Sequence, residues 1–293
     1  MALTIRSGVW RGRSAVGKRA AVANSGIRAV PAFRLLGRGD RPERPPAGTP
    51  VAVTPGVSKT AILLLLGVAV GMAAAPGSQA AERGTLAGVV RLDGPAPTRS
   101  PLQVYKNADI CGPTVPDDRL VVGRDGGLRF AVVTIEGVQN GDKPERDVAH
   151  ALDNRRCRFQ PHVQVAEVGQ WLELSNSDPI LHNADARLGA ETIFNLALPP
   201  DRRVRRPLAR SGRIAITCDV RHTWMNAFVI VTDHPYHTVT DADGAYEIRD
   251  VPTGRYTVSV WHEELGTREV PVTIEAGRTA TVDVAYPAAA VSP

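Results

Sequence analysis

The chain has 293 residues and a formal net charge of +5, with seven His, three Cys and three Met. Its length allows two domains. Residues 1–56 hold nine Arg and one Lys against Asp40 and Glu43, a balance of +8, and Lys59 adds one more. About −4 is left for the rest of the chain. The basic character therefore belongs to the prefix, and no nucleic-acid partner is expected for the folded part.

Residues 1–56 are rich in Arg, Gly, Ala and Pro without sustained periodicity, and are read as a disordered basic prefix, with translation expected from about Val57. Residues 57–81 read as a secretory signal peptide. Lys59 precedes the apolar run Ala61–Ala75 (AILLLLGVAVGMAAA), and Ser78-x-Ala80 supplies the small residues of a cleavage site after Ala80 or Ala81. The run falls short of the roughly 20 residues that span a bilayer. An uncleaved anchor is the other reading; with cleavage no stable membrane span remains. The expected location is periplasmic or secreted, where disulfides persist. The mature part has Cys111, Cys157 and Cys218. An odd count leaves one thiol over. Cys111 is paired with Cys157 here and Cys218 left free, although the count alone admits other connectivities.

From Gly84 onward the chain reads as all-β. Short alternating or β-branched runs occur at Leu86–Leu92, Leu128–Ile135, Trp171–Leu174, Arg213–Thr217 and Ala227–Thr232. They continue at Tyr246–Ile248, Tyr256–Trp261, Glu269–Ile274 and Thr279–Ala285. Gly/Pro/Asp clusters separate them, the pattern of β-sandwiches. Residues 145–155 read as at most a turn or two of helix. Asp243-Gly244 and Pro252-Thr-Gly254 read as tight hairpin turns.

The segments TDADGAYEI (from Thr240) and DVPTGRYTVSV (from Asp250) resemble the carboxypeptidase regulatory-like domain, a transthyretin-like sandwich. The resemblance implies a rigid appendage without peptidase activity. The opening GTLAGVVRLDGPAP from Gly84 resembles the first strand of such modules. The expected division is a domain at 84–233 and a smaller sandwich at 234–287, with strand Ala227–Thr232 open to sharing between them.

The stretch CDVRHTWM, Cys218–Met225, places a thiol, an imidazole and a thioether on one loop between two apolar strands. Sulfur and imidazole donors favour copper over magnesium or calcium, which prefer oxygen, and Met is a poor zinc ligand. A blue-copper site needs two His, one Cys and a long axial Met. His182, in NSDPILHN, offers the second imidazole from another strand connection. His182-Asn183 together with Cys218, His222 and Met225 resembles the cupredoxin family, Greek-key copper sandwiches such as plastocyanin and amicyanin, over roughly residues 119–233. The resemblance implies one type 1 copper held by these four ligands, with Asn183 tying the two ligand loops together by hydrogen bonds. Close relatives that join this domain to the C-terminal module more often read Cys-Asp-Val-His-x-Trp-Met. Here Arg221 intervenes as one inserted residue.

Other motifs lead elsewhere. His162 reads as structural, and His234 and His237 as part of a solvated loop. Trp261-His262-Glu-Glu-Leu-Gly266 lacks the second His of a zinc peptidase helix, and Asp241-Ala-Asp243-Gly244 is too short for a calcium loop. The five Arg of Arg202–Arg210 offer an acidic redox partner a docking strip, or simply form a solvated strand face. No serine, cysteine or paired-carboxylate arrangement suggests catalysis. The expected function is an exported blue-copper protein, not an enzyme, that carries single electrons between partners. The alternatives are copper handling without redox traffic, and a cell-envelope structural or interaction module.

Overall fold

The structure is a computed structural model that describes residues 82–139 and 141–291. The basic prefix 1–56 and the signal peptide 57–81 lie outside the described residues. Among the described residues nearly all regular structure is β-strand, the exceptions being a helical turn at Ala108–Cys111 and two 3-10 turns. Every second residue of Asn226–Thr232 is buried, as a pleated strand with one face on a core requires.

Two sandwiches are present. In the first, a five-stranded sheet runs in the spatial order Glu191–Leu198, His182–Leu188, Gly212–Thr217, Asn226–Thr232 and Val163–Glu167. It faces a four-stranded sheet of Arg203–Pro207, Trp171–Asn176, Ala149–Asn154 and Phe159–Gln160. Leu152, Leu172, Leu174, Leu198 and Ile216 are among the residues of the core between them. In the second sandwich, Arg83–Asp93 pairs with Ala245–Pro252, Thr279–Thr281 and Val284–Pro287. The opposite sheet is ordered His237–Val239, Val132–Glu136, Gly254–His262 and Gly266–Ile274. Leu86, Val133, Ile135, Val258, Val260 and Tyr286 lie in its separate core.

This pairing corrects the expected division at 233/234. Arg83–Asp93 and Val132–Glu136 precede the first sandwich in sequence yet form inner strands of the second. The first sandwich's strands, from Ala149 to Thr232, are thus inserted between strands of the second. Strand Asn226–Thr232 is not shared: among the described residues it pairs only with Gly212–Thr217 and Val163–Glu167.

Local expectations are corrected for related reasons. Residues 145–155 hold the strand Ala149–Asn154, where Leu152 and Asn154 are buried at a period of two, not the helical period. The turns at Asp243-Gly244 and Pro252-Thr-Gly254 join strands of opposite sheets, not of one hairpin. Gly244, at φ 76°, lies so close to the first strand that a Cβ would meet the Val90 carbonyl oxygen at 2.2 Å. His237 begins a strand paired with Val132–Glu136, so residues 234–237 do not form a solvated loop.

Between its two parts the second sandwich sends out residues 94–131. Leu102–Gln103 and Thr114–Val115 form a two-residue ladder in that excursion, flanking the helical turn. Leu102, Val104 and Cys111 pack on the core of the first sandwich. Cys111 is disulfide-bonded to the buried Cys157, and Cys218 is free and buried. Because inner strands of the second sandwich come from its N-terminal parts, residues 223–287 expressed alone should show no cooperative unfolding transition, whereas residues 82–293 should. A cooperatively folded 223–287 fragment, seen by thermal circular dichroism, would contradict this topology.

Candidate metal centre

The site forms where two adjacent strands of the five-stranded sheet meet their connecting loops. His182 opens strand His182–Leu188, and Cys218 follows its neighbour Gly212–Thr217. Neighbouring strands lie about 4.8 Å apart, so the thiol comes to rest beside the start of the His182 strand. The Asn183 N–H points at Cys218 Sγ from 3.5 Å.

The loop before His182 is shaped by Asn176. Its side-chain amide donates to the carbonyls of Ile180 and Leu198, both at 2.8 Å, and its Oδ1 accepts the Asp178 N–H at 3.0 Å. The turn aims Asp178 back at the ring of His182, whose Nε2 lies 3.0 Å from Asp178 Oδ2. The loop after Cys218 turns through Asp219, Val220 and Arg221. Arg221, the extra residue, is left-handed at φ 67° with its side chain exposed. The insertion is thereby absorbed as an outward turn, and His222 still points inward. The His222 Nε2 is 3.0 Å from Asn107 Oδ1.

With both far nitrogens engaged, both Nδ1 atoms face the thiol. His182 Nδ1 is 3.9 Å and His222 Nδ1 3.7 Å from Cys218 Sγ, and the two Nδ1 atoms are 3.0 Å apart. All three donor atoms lie within 4.8 Å of one another, and all three residues are buried. Met225 is buried in the same core, its N–H donating to the His222 carbonyl at 2.9 Å. Asn183 spans the two ligand loops: its Oδ1 accepts the Asp219 N–H, and its amide donates to Asn195 Oδ1. Asn195 in turn donates to Asp219 Oδ2 at 3.0 Å.

The electrostatics suit a cation. Burial acts against protonation of His182, but its hydrogen bonds to Asp178 and Cys218 outweigh that and raise its pKa above the usual imidazole value. His222 is pushed down to about 4, by burial first and then by His182 and Lys106. Burial would raise the Asp178 carboxyl; the bonds from His182 and from the Cys157 and Arg156 N–H groups overcome it and hold the pKa low. The centre thus combines an anionic carboxylate, a neutral His222 and a ring that attracts positive charge. Two imidazole lone pairs facing one sulfur at these distances need a proton or a metal between them, and this donor set fits a soft cation such as copper. A second cluster of Cys157, Asp178 and His182 exists, but Cys157 is in the disulfide and its sulfur is not free to ligate.

Asp178 and Asn107 were not legible as site residues. Asp178 stands four residues before His182 in an Asx-Pro turn, which is the one local signal that points to it. Asn107 comes from the distant 94–131 excursion and carries no signal. His162 is buried, hydrogen-bonded to the Asn226 carbonyl at 3.1 Å and to Glu263, a contact across the two sandwiches. In the Arg202–Arg210 strip, Arg203 and Arg205 pair with Glu173 at 3.6 and 2.7 Å, and Arg210 with Glu191 at 2.9 Å. The strip is therefore largely a solvated edge with partnered charges. Among the described residues no helix is long and apolar enough to cross a membrane.

Residues 223–287 match the family model of the carboxypeptidase regulatory-like domain. The chain carries such a domain. The regulatory-like domain's match begins within the ligand loop and includes strand Asn226–Thr232, which is paired in the first sandwich. No curated protein matches the chain. Among solved structures, the copper-containing nitrite reductase of Thermus scotoductus is similar at 21% identity and TM-score 0.28, over 34% of this chain and 26% of that one. The purple cupredoxin of Nitrosopumilus maritimus is similar at 21% identity and TM-score 0.26, over 29% of this chain and all of that one (100%). Amicyanin from Paracoccus versutus is similar at 16% identity and TM-score 0.26, over 34% of this chain and 97% of that one. The chain spans only about a quarter of the reductase. Scores of this size decide neither fold nor metal.

Replacing Asn183 by Ala leaves the Asp219 N–H without its acceptor. The metal-free protein should lose about 1–3 kcal/mol, measured by urea unfolding. A loss below about 0.5 kcal/mol, the range of surface substitutions, would show that Asn183 does not hold the two loops together.

Proposed function

We propose that the protein is an exported blue-copper protein that binds one copper and carries single electrons between partners. The observation that carries this reading is the convergence of Cys218 Sγ, His182 Nδ1 and His222 Nδ1 within 4.8 Å of one another in a buried site. In this reading His182 and His222 would give the two nitrogens, Cys218 the thiolate and the buried Met225 a weak thioether donor. When bound, copper would supply a one-electron couple between its two oxidation states.

The chain's own residues perform the rest. Asp178 and Asn107 hold the rings, so neither imidazole has to turn when the charge at the centre changes. Cys218 sits against the Asn183 N–H, a donor that stabilises negative charge on sulfur. Cys218 belongs to the same apolar core as Leu198, Ile216 and Trp224, surroundings that disfavour water. His182 and His222 are both 0% exposed and Cys218 is 4% exposed. That burial leaves a substrate no approach to the metal, which supports an electron carrier over an enzyme. It also speaks against copper delivery, which requires a ligand set that opens to exchange. A periplasmic or secreted location accords with the leader and with the disulfide. An acidic redox partner would meet the exposed Arg of the Arg202–Arg210 edge.

Addition of Cu(II) to purified residues 82–293 should produce an intense thiolate-to-copper charge-transfer band in the visible region. The band should disappear in Cys218→Ser and in His182→Ala. A colourless complex with only weak d–d absorption would contradict the blue-copper reading.

A further inference from the structure

Three routes leave Cys157, and each ends at the candidate metal centre. Its N–H donates to Asp178 Oδ2 at 2.7 Å, the oxygen that also faces His182 Nε2 at 3.0 Å. Its carbonyl accepts the Trp224 indole N–H at 2.9 Å. Trp224 lies in the ligand loop, its ring 5.1 Å from that of His222. Its sulfur is bonded to Cys111, the last residue of the helical turn Ala108–Cys111, and Asn107 at the start of that turn faces His222 Nε2 at 3.0 Å.

The backbone around Cys157 is built for this task. Arg156 and Cys157 are both left-handed, at φ 53° and 54°, a strained conformation for two successive side-chain-bearing residues. It turns both N–H groups onto Asp178, each at 2.7 Å. The segment that brings Asn107 is weak by itself: a two-residue ladder and a four-residue helix supply little cooperative structure. Lys106 adds one bond, to the Val220 carbonyl at 3.1 Å. The disulfide is the strong tie that fixes this segment over His222.

We propose that the Cys111–Cys157 disulfide and Asn107 are positioning residues of the metal centre, holding both imidazoles with Nε2–H outward and Nδ1 toward Cys218. The proposal rests on the reading of His182, Cys218 and His222 as metal ligands. A ring whose Nε2–H is committed to an acceptor offers its Nδ1 lone pair; without the acceptor it is free to rotate or change tautomer. Loss of such an outer partner lowers metal affinity typically by 10–100-fold.

The test uses the mature chain with its disulfide formed. Long-range 1H–15N correlation on the metal-free protein gives the tautomer of each ring, and the rate of copper loss to excess EDTA gives the hold on the metal. Asn107→Gly removes the acceptor while allowing the left-handed φ of 57° at that position, and Asn107→Asp restores an acceptor. In the metal-free wild type both rings should carry an Nε2–H, with one further proton shared between the two facing Nδ1 atoms. Asn107→Gly should release only His222 and speed copper loss by about 10–100-fold, with Asn107→Asp close to wild type. The paired Cys111→Ser and Cys157→Ser variant should disturb both rings. Unchanged tautomers and copper loss in Asn107→Gly would overturn the proposal, whether or not the cysteine variant folds. If the wild type takes up no copper, the metal reading falls, and the tautomers of the metal-free chain still decide the positioning role.

Discussion

Two imidazoles whose outer nitrogens are already bonded have one way left to point, and here both point at one buried sulfur. That constraint organises the first sandwich. Asp178 and Asn107 engage His182 and His222 from outside, and the lone pairs meet Cys218 from within. Unpaired lone pairs in an apolar core are costly. A proton or a metal between the rings relieves that cost, and the burial of all three side chains keeps it from solvent.

The fold delivers these parts from three places. Adjacent strands bring His182 and Cys218 together by sheet pairing, the ligand loop adds His222 and Met225, and the 94–131 excursion brings Asn107. The excursion begins and ends in the regulatory-like sandwich, since Arg83–Asp93 and Val132–Glu136 are both strands of it. That sandwich is more than an appendage in this chain. It anchors both ends of the segment that covers the candidate metal centre.

Strand positions were legible wherever a single buried face imposes a period of two, as in Asn226–Thr232. Ligand candidates were legible because thiol, imidazole and thioether rarely cluster without cause. Pairing order was not legible. An Asp-Gly turn reads the same whether it closes a hairpin or crosses between sheets, and only packing against Val90 and Leu128 shows that Gly244 does the latter. Asn107 and Asp178 are not legible because Asn and Asp are ordinary turn residues, and Asn107 reaches His222 only when distant segments fold together. Arg221 showed as an insertion in the sequence; its left-handed backbone shows how the loop accommodates it.

X-ray absorption at the copper K edge of the loaded mature protein reads the atoms that bind the metal. One sulfur and two imidazole nitrogens should be bound directly to the metal, with sulfur scattering lost in Cys218→Ser. A spectrum of nitrogen and oxygen neighbours without sulfur would contradict it.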